Sequence, residues 1–375
     1  VDEVGYRHQG VTVIYTITNF IFPNFVSEIS NSKSWIDIET LQETQVFSGI
    51  FFHVLSASLE YLLGFETKEE VFNFKHLLTF LIFYLGIIFL YFIIKFLTKD
   101  YRYALTGIIF IFLSPRIFAQ SFYNPNDIPF MTSIILMTYL NLKFLNKINN
   151  KYLYLSALVS AIAISLRPMA IYMPFLVFIY LLYFNKVNLI SNRQLFKIVL
   201  KKFFFIFLLS YILNPSLWID PYSFILQFKK AINFNIAEIL YLGKFYQNSQ
   251  TPWHYLFIWT IFTTPILYII LFVFGLVNIL LKLKKFFLNP HKNYLNKHKE
   301  IFILFSFLIP FLAAALLSKS LLNGWRHLYF VYPFFIIISV IGLNWIFSKL
   351  IGIKKIKTII KFLIICFLIN TAHWM

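Results

Sequence analysis

The sequence predicts an all-α polytopic membrane protein of about ten transmembrane helices, and three observations carry that prediction. Hydrophobic residues make up 59% of the 375 residues and charged residues only 13%, with a mean hydropathy of +0.75. A water-soluble domain of this length could not bury so much apolar surface. Ten apolar segments, at roughly 77–94, 103–118, 128–142, 152–166, 169–185, 199–213, 254–281, 300–317, 328–348 and 358–374, are long enough to cross or nearly cross about 30 Å of hydrocarbon. Finally, the charges between these segments alternate in kind.

That alternation gives the orientation. Loops 95–102, 141–151, 186–202, 282–299 and 349–361 hold 22 Lys and Arg and, with Glu300 at their edge, two acids, Asp100 and Glu300. The other side, 1–76, 114–128, 165–170, 214–254 and 318–330, holds 11 Lys and Arg and 13 acids. By the positive-inside rule the first set is cytoplasmic and the second is outside. The net charge of +18 therefore belongs to membrane topology and implies no nucleic-acid partner. Trp218, Trp253, Trp325 and Trp374 fall at outer ends of spans, where interface anchors are expected.

Two regions follow. Residues 1–76 form an outer loop holding ten of the fifteen acids. Within it Phe47, Ile50, Phe51, Val54 and Tyr61 recur at helical spacing with Glu43 and Glu60 off that face, predicting an amphipathic interfacial helix. Residues 77–375 form the transmembrane domain, with outer loops 114–128, 214–254 and 318–330. The middle of the long loop, 221–242, reads as a second interfacial helix. The chain opens on Val1 and stops at Met375 without a span before its first acids, so it reads as a fragment of a longer protein.

The single cysteine, Cys366, lies in an apolar run and excludes an internal disulfide. No CxxC, HExxH, GxxxxGK[ST] or GxGxxG motif is present, which disfavours zinc and nucleotide chemistry by those routes. The candidates for chemistry are the polar groups on the outer side, because charge near a bilayer is expensive. The opening V-D-E-V-G-Y-R-H-Q-G sets Asp2 and Glu3 beside Tyr6 and Arg7. The segment S-P-R-I-F-A-Q-S-F-Y-N-P-N-D-I-P-F, 114–130, carries Arg116, Tyr123, Asn124 and Asp127. Pro125 and Pro129 bracket Asp127, which serves either as a helix cap or as a ligand. Arg167, in S-L-R-P-M, either snorkels to headgroups or holds a phosphate. In N-G-W-R-H-L-Y-F, 323–330, Arg326 and His327 open an aromatic span whose start favours anions. His254, in T-P-W-H-Y, precedes another span. No His, Cys and carboxylate spacing marks a metal site.

Taken in order, the acidic pair, the S-P-R-x-F-A-x-S-F-Y-N-P-N-D-I-P-F segment, L-R-P, T-P-W-H-Y and G-W-R-H-L-Y-F-x-Y-P resemble bacterial glycosyltransferase family 39, similar to the dolichyl-phosphate-mannose protein mannosyltransferases of the GT-C membrane fold. The resemblance spans nearly the whole chain. It implies a GT-C-like helical bundle in a bacterial inner membrane. The implied reaction moves a sugar, with inversion, from a polyprenyl-phosphate-linked donor to an acceptor glycan, lipid or protein on the periplasmic face. It also implies that Asp2, with Glu3 beside it, acts as base, and that Asp127 helps position donor or acceptor.

The residue types suit that chemistry independently. An acceptor hydroxyl must lose a proton as it attacks a sugar carbon of oxocarbenium character, and one positioned carboxylate takes it. The departing lipid phosphate needs fixed cations, for which Arg116, Arg167, Arg326 and His327 are the candidates. No soluble cofactor is required, while paired carboxylates beside a phosphate are compatible with a divalent cation. The competing reading is a transporter or flippase of a lipid-linked or anionic solute. It predicts ionisable groups at the midplane and inverted repeats, whereas the charges here gather at span ends.

Overall fold

The computed structural model describes residues 10–14, 50–65, 67–214, 216–219, 238–247, 250–288, 299–317, 324–350 and 352–374, with the isolated residues 222, 225 and 229. Asp2, Glu3, Tyr6 and Arg7 lie outside the described residues. The helices are α1 (Ile50–Leu63), α2 (Lys68–Thr98), α3 (Tyr101–Phe112), α4 (Pro115–Tyr123), α5 (Asp127–Asn146), α6 (Asn150–Leu166), α7 (Tyr172–Lys186), α8 (Asn192–Ile212), α9 (Tyr255–Thr263), α10 (Ile266–Leu288), α11 (Lys299–Leu317), α12 (Tyr332–Lys349) and α13 (Lys354–His373). Two 3₁₀ segments, Pro168–Ile171 and Arg326–Val331, lead into α7 and α12.

Among the described residues seven helices are long and apolar enough to cross a membrane, or eight if the bent pair α3–α4 is one span. The remaining two expected spans are helical but fall short. Helix α6 has only 17 residues, and Arg193, Lys197, Lys201 and Lys202 interrupt the apolar run of α8. The expected single span 254–281 is two helices, because Pro265 has no N–H and restricts Thr264 to the extended backbone observed, φ −109° and ψ 135°. The expected span 103–118 breaks likewise at Ser114-Pro115, where α4 turns 71° from α3. Helix α2 starts at Lys68 rather than 77, fixed by a capping box in which Thr67 and Glu70 satisfy each other's amides.

Helices α5 and α12 form the interior of the bundle, 72% and 83% buried over their spans. Helix α13 stands at the other extreme, exposing Phe362, Leu363, Ile365 and Ile369 as a lipid-facing helix would. Close approach in the core depends on small residues, as between membrane helices generally. A methyl group on Gly275 of α10 would lie 1.9 Å from the Ile338 carbonyl of α12, and one on Gly342 would lie 2.1 Å from the Leu271 carbonyl.

Two further expectations are corrected. The buried face of α1 is Phe52, His53, Ser56, Ala57 and Glu60, while Tyr61 is 58% exposed. The helical turn at 10–14 selects that face: Gly10 sits so close to it that a Cβ there would lie 2.4 Å from the His53 carbonyl. The end of the 214–254 loop is a β-hairpin, β1 (Glu238–Tyr241) with β2 (Lys244–Gln247), rather than a helix reaching 242. Its two turn residues, Leu242 and Gly243, both take positive φ, +49° and +77°, as a two-residue hairpin turn requires.

Candidate functional site

The site is built at the first residue of α5. Asp127 does not cap that helix; Asn124 does so from three residues upstream. The Asn124 side-chain carbonyl accepts the amides of Asp127 at 2.9 Å and Asn126 at 3.3 Å. Its amide group donates to Asp127 Oδ2 at 2.8 Å and to Gln120 Oε1 at 2.7 Å. With the helix end satisfied by another side chain, the Asp127 carboxylate turns inward, where it is only 2% exposed.

Two arginines from distant loops meet it there. Arg167 terminates α6 in extended conformation, φ −150° and ψ 123°, as the following proline demands, and Nη2 donates to Asp127 Oδ1. Arg326 begins its 3₁₀ segment and donates through Nε to Asp127 Oδ2 at 2.9 Å. His327 is near enough for its charge to act on the same carboxylate. Arg167 also stacks over the Phe130 ring at 5.7 Å, and Phe130 packs edge-on against Phe330 at 4.9 Å. Aromatic packing thus fixes both cationic loops against α5.

Arg116 lies next to this group. Its Nε donates to Tyr329 Oη at 2.9 Å and its guanidinium sits 5.6 Å from the Trp259 ring. Gly324, at φ +77°, backs onto it: a Cβ there would lie 3.0 Å from Arg116 Nη1. The Gly324 amide donates to Tyr255 Oη at 3.0 Å, and Tyr255 packs edge-on against Tyr241, whose hydroxyl bonds His254 Nδ1 at 2.7 Å. His254 therefore supports the Arg116 wall through two tyrosines and does not contact Asp127. Tyr123 is at the rim, 46% exposed, its hydroxyl accepting from Gln120 at 2.7 Å.

Several participants were not singled out from the sequence. Tyr329 is one of them, accepting the Arg116 bond. His53 is another. It is 1% exposed, and its Nε2 bonds Asn126 Oδ1 at 2.8 Å, one residue from Asp127. Burial, reinforced by the charge of Lys75, pushes this imidazole from 6.5 down to about 3, against the opposing pull of the Asn126 bond. The chain from Gly10 through His53 to Asn126 joins the helical turn at 10–14 to the Asp127 turn.

Trp325 is no interface anchor. It is 4% exposed, and its indole N–H donates to Thr263 Oγ1 at 2.7 Å. Lys202, in the middle of α8, is 1% exposed and donates to Asn141 Oδ1 at 2.7 Å and Ser156 Oγ at 2.8 Å.

In chemical terms, Asp127 is occupied by two guanidinium groups and an amide, so its oxygens are poorly placed to take a proton. What it does instead is hold two forked cations at one boundary of the bundle, with a third a tyrosine away. Such an array suits a phosphate group. Residues 58–212, about two fifths of the chain, match the family model described as dolichyl-phosphate-mannose-protein mannosyltransferase. The matched stretch contains Arg116, Asp127 and Arg167. No curated protein and no solved structure matches the chain. Over that stretch the chain is similar to this family, and its described helices include seven long and apolar enough to cross a membrane.

Proposed function

We propose that the protein transfers a sugar from a polyprenyl-phosphate-linked donor to an acceptor hydroxyl, with inversion, at the outer boundary of a bacterial inner membrane. The observation that carries this reading is the convergence of Arg167 and Arg326 on Asp127 with Arg116 beside them. As the bond from the sugar carbon to the acceptor oxygen forms, the bond to the phosphate oxygen breaks. The electron pair leaves on the lipid phosphate, where the arginines stabilise the added charge. The acceptor proton goes to a carboxylate, and we assign that role to Asp2, with Glu3 beside it.

Asp127 is then a positioning residue for the cations. The contact of Gly10 with His53 supports the assignment of Asp2, since it ties the opening segment, eight residues after Asp2, to the Asp127 turn. The reaction needs no soluble cofactor, while the Asp2 and Glu3 pair is compatible with a divalent cation, which the effect of a chelator on transfer decides.

Lys202 is the observation on the side of a transporter, since a buried basic group among membrane helices often marks a solute path. It is closed in by Phe144, 4.9 Å from its ammonium, and by Asn141 and Ser156. The test is reconstitution of the intact protein with a polyprenyl-phosphate-linked sugar. Asp2→Asn should abolish transfer and keep donor binding. Normal turnover by that variant would remove Asp2 from the role, and donor movement without bond making would favour transport.

A further inference from the structure

At the boundary opposite Asp127, three lysines from separate helices converge. Lys143 lies sixteen residues beyond Asp127 on α5, about 24 Å away at 1.5 Å per residue. Its ammonium is 4.7 Å from the Phe96 ring centroid and 5.4 Å from that of Tyr139. Lys299, opening α11, places its ammonium 4.0 Å from the same Phe96 centroid and donates to Asn146. Lys99 follows α2 in left-handed conformation, φ 60°, and its charge, like that of Lys143, acts on Lys299.

Like charges this close repel and call for a counter-charge. The two acids of this side are committed elsewhere. Asp100 accepts the Arg102 amide at 2.8 Å as the cap of α3, and Glu300 pairs with Lys282. Leading up to the lysines along α2 is an exposed apolar stripe at helical spacing, Leu81, Leu85, Ile88 and Phe92, with Phe92 also against Tyr139 at 6.0 Å. Such a stripe suits an acyl chain, and a basic pocket at its end suits the headgroup above it.

We infer that Lys99, Lys143 and Lys299, over Phe96, bind the phosphate headgroup of an anionic phospholipid in the leaflet opposite the Asp127 site, with an acyl chain along the exposed stripe of α2. This site is independent of the transfer reaction.

The test is thermal unfolding of the purified protein in neutral phosphatidylcholine bicelles titrated with phosphatidylglycerol, with native mass spectrometry to count retained lipid. One retained phosphatidylglycerol and a saturable stabilisation are expected. The apparent affinity should fall about fivefold for Lys143→Gln or Lys299→Gln and about 25-fold for both, at roughly 1 kcal/mol per surface lysine. The arginine replacements at the same positions should keep it. Equal stabilisation of the wild type and the glutamine pair would overturn the site, and so would equal stabilisation by inorganic phosphate at matching concentration. If the glutamine pair does not fold, the wild type still decides: the phosphatidylglycerol effect must weaken from 50 to 500 mM salt, and indifference to salt would refute the inference.

Discussion

Arg326 Nε reaches Asp127 Oδ2 at 2.9 Å across 199 residues of chain. The bond joins the entrance of α12 to the start of α5, the two most buried spans. A guanidinium already paired with a carboxylate is held in a fixed direction, so it meets an incoming phosphate without first being ordered. The cost is borne by Asp127, whose oxygens are engaged. A reaction needing a base must find it elsewhere.

Asp127→Asn therefore separates positioning from proton transfer. It should lower transfer by about 10- to 100-fold, the scale of misplacing a binding group by an ångström, and leave the acid limb of the pH–rate profile in place. Disappearance of that limb would move the base to Asp127. The profile of the purified protein under donor saturation checks this.

Gly324→Ala should damage the same site from behind. The backbone at φ +77° disfavours any Cβ by about 1–2 kcal/mol, and the added methyl would press on Arg116 Nη1 at 3.0 Å. The expected result is a raised donor KM together with a small fall in Tm. An unchanged KM would mean that Arg116 does not bear on the donor.

His53 gives the protein an acid sensitivity. Its folded-state value of about 3 lies below the ordinary 6.5, so the unfolded chain binds the proton more readily between those values. The resulting stability is present above pH 6.5 and is lost as pH falls toward 3. His53→Gln, which keeps a donor toward Asn126, should unfold at a temperature that varies less between pH 7 and pH 4.5 than the wild type. Parallel shifts in the two proteins would contradict it.

Gly342→Ala tests the packing of α10 on α12. With the Leu271 carbonyl 2.1 Å from the new carbon, the helices must part, and about 1–3 kcal/mol of stability should be lost. Thermal unfolding in detergent measures it, and an unchanged Tm would mean the helix pair is looser than described.

The sequence made the membrane character and most spans legible, because apolar length and loop charge are local properties. It also named Arg116, Asp127, Arg167 and Arg326 one by one. That they would share one site was expected from their residue types, but that Asp127 joins Arg167 to Arg326 was not legible, since it depends on how α5, α6 and α12 pack. The break at Thr264-Pro265 was written in the proline but hidden by continuous hydrophobicity on both sides. The face of α1 was misread because its partners, the turn at 10–14 and Asn126, belong to other segments. Trp325 was misassigned because a tryptophan at a span end looks the same whether it faces lipid or, as here, Thr263.

The most direct measurement is the equilibrium binding of a polyprenyl-phosphate-linked sugar to Arg326→Ala beside the wild type. Loss of one charge-assisted contact, about 1.5–3 kcal/mol, should weaken the donor roughly 10- to 150-fold. Equal affinity in the two proteins would show that the arginines around Asp127 hold the fold together and do not hold the donor phosphate.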